Sequence, residues 1–319
     1  MRHMTVPNPI HQRLHAFQQL PRMRAGSLII SAFGDAIYPR GGVVWLGCLI
    51  RLLEPLALNE RLVRTAIFRL VKEDWLQAQT MGRRTDYGLS ATGRSRIEEA
   101  SKLIYGNPTS QWDEHWRIIF TSAEQSPQSR AALRKALYWQ GFGEWNANTF
   151  LHPSADLNQV TASLSADGLQ QELLDSWTLI SKIVPTPFTI SDKQVVAQAW
   201  DLKQLGQSYA NFIAQYQTID SRFDKLKASD EEAFLTRLLL VHDFRRLLLR
   251  DPMLPNTLLP GHWPGLKARQ LFNRLYSKLH EASENHLDIH LQKADESVPR
   301  RGSLLSKRIA AMHVDMKMV

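Results

Sequence analysis

Apolar residues recur along the first third of the chain at helical spacing. In 25–38 (AGSLIISAFGDAIY) they stand at Leu28, Ile29, Ala32, Phe33, Ala36 and Ile37, one stripe of a helix. Pro39-Arg40-Gly41-Gly42 ends it, because proline and paired glycines interrupt regular structure. Segment 43–54 (VVWLGCLIRLLE) is apolar almost all round and predicts a second, buried helix that stops near Pro55. Asn59 caps a third helix over 60–74. Its inner face is Leu62, Val63, Ala66, Ile67, Leu70 and Val71; its outer face carries Arg61, Arg64, Thr65, Arg69 and Lys72. Residues 75–80 alternate like a strand, 81–84 turn and 85–90 return, which predicts a hairpin. A polar helix follows over 91–105.

Gly106-Asn107-Pro108 marks a boundary, and the pattern after it changes to strand, helix, strand, strand, helix, strand. The strands are 116–121, 141–145, 149–151 and 177–184; the helices are 128–139 and 156–166. That order predicts a ferredoxin-like βαββαβ domain closed by Pro185-Thr186-Pro187. Helical periodicity then runs through 192–217, 230–249 and 265–285. The expected architecture is α+β and multidomain. It comprises a leader (1–23), a winged helix-turn-helix (24–107), a ferredoxin-like domain that serves dimerisation (108–187), an all-α C-terminal domain (188–286) and a mobile basic tail (287–319).

Charge adds a direction to this picture. The whole chain is +8, but residues 1–110 hold 15 Lys/Arg against 8 Asp/Glu, and 298–319 hold 5 against 1. The middle is acidic or balanced. A basic head on a neutral body is the distribution expected of a polyanion-binding module joined to a sensing body. No apolar run reaches the roughly 18 residues of a membrane span. The polar start (Met1 to His15) lacks the apolar stretch of a secretory signal, and the chain has one cysteine, Cys48. A reducing cytoplasm is the expected location.

The three helices and hairpin predict contact with duplex DNA. A helix fits the major groove, where arginine and threonine can read base edges. Arg61, Arg64, Thr65 and Arg69 form the outward face of the third helix. Arg83 and Arg84 form the hairpin tip, where Gly82 permits a tight reversal and guanidinium groups can pair with phosphates. Arg40, beside two glycines, is a further phosphate contact. An arginine-bearing outer face is by itself an ordinary solvated surface. Its pairing with an arginine-tipped hairpin in a basic domain favours DNA.

Several of these stretches resemble the PaaX family of bacterial repressors of phenylacetate degradation. They are RGGVVWLGCLIRLLE (40–54), VRTAIFRLVKEDWL (63–76), GRRTDYGLSATG (82–93), Trp112-Asp113 with Trp116, WQGFG (139–143) and HDFRRLLLRDPMLPNTLLPGHWPG (242–265). The resemblance runs from about residue 25 to about residue 280. It implies a homodimer on a partly palindromic operator, released by phenylacetyl-CoA, with Arg40, Arg61, Arg64, Thr65, Arg69, Arg83 and Arg84 as the DNA-facing positions. A CoA thioester needs cations, stacking surfaces and an apolar pocket. His242, Arg245, Arg246, His262 and Trp263 are the candidates to supply them. A regulator of the same architecture with another acyl-CoA or aromatic ligand fits the same residues.

An enzyme is the competing class. A metal-dependent nuclease on a ferredoxin-like domain would place an aspartate at the end of the first strand, where this chain has Phe120-Thr121-Ser122. No catalytic signature or cofactor motif is expected. His286 and His290 have the i, i+4 spacing of metal ligands but lie in a polar segment, which predicts solvated, frayed histidines and no metal.

Overall fold

The computed structural model describes residues 8–20, 25–106, 112–122, 124–184 and 189–317. The boundaries expected at Asn107-Pro108 and Pro185-Thr186-Pro187 lie outside the described residues. The chain divides into two compact units, 1–107 with 210–246 and 266–319, and 108–209 with 247–265.

In the first unit, α1 (Pro9–Gln18) opens on an Asn8 side chain that accepts from the Ile10 N–H, with Pro9 at the first helical position. The segment expected to be an unpatterned leader is therefore a helix, and it buries Ile10 and Phe17. α2 (Ala25–Ala32) runs into one π-helical turn, Phe33–Ile37, and a short 3-10 turn ending at Arg40. The second predicted helix begins later than its apolar pattern suggests. Val43–Trp45 is a short strand, β1, and α3 is Leu46–Leu53. α4 (Glu60–Lys72) is capped by Asn59, whose side chain accepts from the Leu62 N–H. β2 (Leu76–Met81) and β3 (Arg84–Leu89) form the hairpin, and β1 pairs antiparallel with the outer edge of β3. α5 (Ala91–Tyr105) is capped by Ser90. Gly93 has no room for a side chain, since a Cβ would lie 2.0 Å from the Trp75 carbonyl oxygen.

The second unit holds a four-stranded sheet: β4 (Trp116–Phe120), β5 (Gly143–Asn146), β6 (Thr149–His152) and β7 (Trp177–Ser181). The spatial order is β5-β6-β4-β7, with β4 antiparallel to both neighbours. This is the strand order of the split βαβ arrangement expected from the sequence. Helices α6 (Pro127–Trp139), α7 (Leu157–Ala166) and α8 (Gln170–Leu174) complete it, and Leu133, Leu137, Val160 and Leu164 pack with Phe142 and Phe150 of the sheet region. α9 (Asp192–Ala199) joins the same unit, and its Val195 and Val196 cluster with Trp116, Leu254 and Leu258.

The remaining long helices are α10 (Leu202–Leu226), α11 (Asp230–Leu248), α12 (Pro264–His290) and α13 (Ser303–Lys317). The residues read from sequence as one all-α domain are split between the units. Phe234, Leu235, Leu238 and Leu239 of α11 belong to the same core as Leu28, Phe33, Leu49 and Ile67, whereas Leu254 and Leu258 belong with Trp116. The segment expected to be a mobile tail is also structured. α12 extends to His290, and Leu291, Ala294, Leu305, Arg308 and Met312 are buried.

Candidate nucleic-acid interface

Helix α4 separates its residues cleanly. Val63, Ala66, Ile67 and Leu70 are buried at i, i+3, i+4 and i+7, and α2 packs against this face. Arg61, Arg64, Thr65, Phe68, Arg69 and Lys72 are exposed on the other side. Arg64 is held by Glu60 one turn earlier at 2.7 Å, and the Thr65 hydroxyl donates to the Arg61 carbonyl. Among the described residues Arg61 and Arg69 have no carboxylate partner. The helix thus presents a cationic strip with free guanidinium groups at both ends.

The hairpin is closed by the Met81↔Arg84 pair, leaving Gly82 and Arg83 as the two turn residues. Gly82 has φ +58° with nothing within 4 Å of a built Cβ, so the backbone angle alone demands glycine. Arg83 is exposed at the tip. Arg84 is not free as expected: it stacks on the Trp45 ring at 4.7 Å, donates to the Ala294 carbonyl and pairs with Glu296 at 2.9 Å. Arg51 lies over the same Trp45 ring at 5.0 Å.

Arg40 requires a larger correction. Its side chain has no exposed surface. It pairs with Glu284 at 2.6 Å and Asp288 at 2.8 Å, and donates to the Pro299 carbonyl. A guanidinium so enclosed is withdrawn from any phosphate. The network extends inward, with Arg237 pairing to Glu284 at 2.6 Å and to Asp35 at 3.0 Å. The hydroxyls of Tyr105 and Tyr276 both donate to Asp35 at 2.8 Å. Arg308, from the supposed tail, donates to the Gly34 and Asp35 carbonyls.

What the sequence reading missed is the strap between α12 and α13. Residues 291–302 bind the base of the hairpin module: the Trp45 N–H donates to the Gln292 carbonyl, the Ala294 N–H to Asp86 at 2.7 Å, and the Gly302 N–H to the Pro39 carbonyl. Cys48 is buried; its thiol donates to the His290 carbonyl, and burial pushes its pKa up. The partners lie more than 200 residues apart, and no local pattern signals them.

The candidate effector residues are not one set. His242, Arg245 and Arg246 belong to the first unit, His262 and Trp263 to the second. His262 is exposed, and Trp263 packs edge-on against Tyr209. His242 is buried beside Ser31, and desolvation drives its pKa down to about 4. Arg245 is buried, and among the described residues it donates to the Ser27 carbonyl and to the Ser27 and Ser31 hydroxyls. Burial, then the neighbouring charge of Arg246, lowers its pKa to about 10. It lines a small cleft of about 30 Å³ with Ile30, Asp35, Arg96, Ile97, Tyr105 and Val241. His286 is buried and stacked on Phe234 at 5.1 Å, where a frayed, solvated residue was expected. Among the described residues no group of three His, Cys, Asp or Glu is placed to hold a metal, and no helix is long and apolar enough to cross a membrane.

Comparison with known proteins covers all three segments. Residues 24–93 match the family described as PaaX-like protein, 109–178 the PaaX protein central Cas2-like domain, and 200–289 the PaaX-like protein C-terminal domain. The chain is 34% identical over 311 residues to the transcriptional repressor PaaX of Escherichia coli, covering 95% of each chain. A solved structure of an uncharacterized protein from Mycobacterium tuberculosis resembles it with a TM-score of 0.50, over 75% of this chain and 89% of that one. At 22% identity that likeness speaks to the fold alone.

Proposed function

The chain belongs to the PaaX family of transcriptional repressors, and from that premise we propose that it is a dimeric, winged helix-turn-helix repressor that lays α4 in the major groove of operator DNA. The observation that carries this reading is the α4 strip: an anchored helix with cations outward, two of whose guanidinium groups have no carboxylate partner among the described residues. Arg64, Thr65 and Arg69 read base edges, Arg61 and Arg83 hold phosphates, and Arg84 sets the hairpin against Trp45. The second copy is held through β7, which among the described residues pairs with β4 alone and leaves Trp177 79% and Ile180 56% exposed. An apolar edge strand of this kind needs covering.

Release is by phenylacetyl-CoA, as in the family resemblance. The cleft beside Arg245 is where we place the acyl end: most of its lining is apolar, Asp35, Arg96 and Arg245 are its charged residues, and it must widen to admit the ring. To free DNA, the effector must bind the DNA-incompetent arrangement more tightly. The test is a gel-shift titration of the promoter complex. Phenylacetyl-CoA is expected to dissociate it while free phenylacetate and acetyl-CoA leave it intact; release by phenylacetate alone overturns the effector, and the absence of any shifted complex overturns the repressor reading.

A further inference from the structure

Phe68 is 72% exposed, the most exposed large apolar side chain described in its unit. It is not part of the α4 core, which Val63, Ala66, Ile67 and Leu70 complete without it. It sits in the middle of the cationic strip, with Arg64 at i−4, Thr65 at i−3, Arg69 at i+1 and Lys72 at i+4. An isolated exposed apolar residue needs no explanation. An aromatic ring with Arg64 one turn before it and Lys72 one turn after it on the same helix face does, because those charges oppose an ordinary protein contact and favour a polyanion.

The major-groove edge of DNA offers one apolar group, the C5-methyl of thymine. We propose that Phe68 is a specificity-determining residue that packs on a thymine methyl while its cationic neighbours engage the surrounding phosphates and bases. This rests on the proposed placement of α4 in the groove and adds to it a base preference. The cations bring the helix to any duplex, and the ring favours thymine at the position below it.

The experiment uses the full chain and a duplex that it selects from a randomised pool, with each thymine replaced in turn by deoxyuridine, which lacks only the methyl. At one or two thymines per half-site the wild-type protein is expected to lose about fourfold in affinity, the value of one buried methyl-sized group. Phe68→Ala is expected to bind the thymine duplex roughly tenfold more weakly and to be indifferent to deoxyuridine at that position, the non-additivity that identifies a direct contact. Its melting temperature should match that of the wild type, since the side chain is mostly in solvent. Arg69→Ala, run in parallel, should lose affinity yet keep the thymine preference. A wild type insensitive to deoxyuridine at every thymine, or a Phe68→Ala protein that keeps the preference, overturns the assignment of Phe68 while Arg69→Ala still weakens binding. Failure of the wild type to select any duplex overturns the placement of α4 itself.

Discussion

Helices α4 and α11 both carry several basic side chains, and they use them in opposite ways. In α4 the apolar positions fill one stripe, so Arg61, Arg64 and Arg69 fall outside it and stay in water. In α11 residues 233–242 are buried without interruption. A basic residue there has no outer face to occupy, and Arg237 is fully enclosed between Asp35 and Glu284. The number of arginines does not tell surface from interior. Their register against the apolar positions does, and it separates cations that can meet a ligand from cations that hold the protein together.

The strongest way to break this contrast is to exchange the expected effects. Arg237→Ala leaves two buried carboxylates short of a partner and is expected to cost about 3–5 kcal/mol of stability. At roughly 2–4 °C per kcal/mol for a body of this size, a thermal melt should show a drop of many degrees. Arg69→Ala should stay within about 0.5 kcal/mol of wild type in the same melt. Equal, small shifts for the two variants would remove the distinction.

The two helices also differ in what solution variable they sense, since α11 buries a titratable histidine. The His242 pKa is about 4 in the folded protein because burial disfavours the charged ring, against about 6.5 when unfolded. Between those values the unfolded chain binds more protons, so stability is complete above about pH 6.5 and falls as pH drops toward 4. The limiting loss from this one group is roughly 3 kcal/mol. Asp243 opposes the shift, while Arg245, Arg246 and Arg13 reinforce it. His242→Gln is expected to show a smaller difference in melting temperature between pH 7.5 and pH 5 than wild type. An unchanged difference would mean that the acid sensitivity arises elsewhere, for example at His286, whose pKa burial also lowers to about 4.

The same contrast explains what was legible from sequence. The α4 stripe, the Asn59 cap, the hairpin and the four-strand order follow from spacing and turn residues within short windows. At Arg40 the local sequence misleads, because two glycines beside an arginine resemble a phosphate-contacting turn, while the carboxylate that claims it is 244 residues away. The apolar run of β1 suits helix or strand, and the open edge of β3 decides for strand. The last helix, α13, has a basic, weakly patterned sequence, and it is fixed by Arg308 reaching the Gly34 and Asp35 carbonyls. α1 did carry local signals, since Asn8-Pro9 is a cap followed by the proline favoured at a first helical position.

The smallest expected effect sharpens the comparison within the interface. Arg83 is exposed at the hairpin tip with no ion-pair partner among the described residues, while Arg84 is tied to Trp45, Ala294 and Glu296. If Arg83 holds one phosphate, Arg83→Ala should weaken binding to every sequence alike and lower the slope of log K against log salt by about 0.9. Arg84→Ala should leave that slope nearly unchanged and instead lower stability slightly, because half-exposed ion pairs contribute no more than about 1 kcal/mol. Fluorescence anisotropy across a range of salt concentrations separates the two. A slope reduced by Arg84→Ala and not by Arg83→Ala would mean that Arg84 leaves Glu296 for the backbone of DNA, and that the strap at 291–302 competes with DNA for the hairpin.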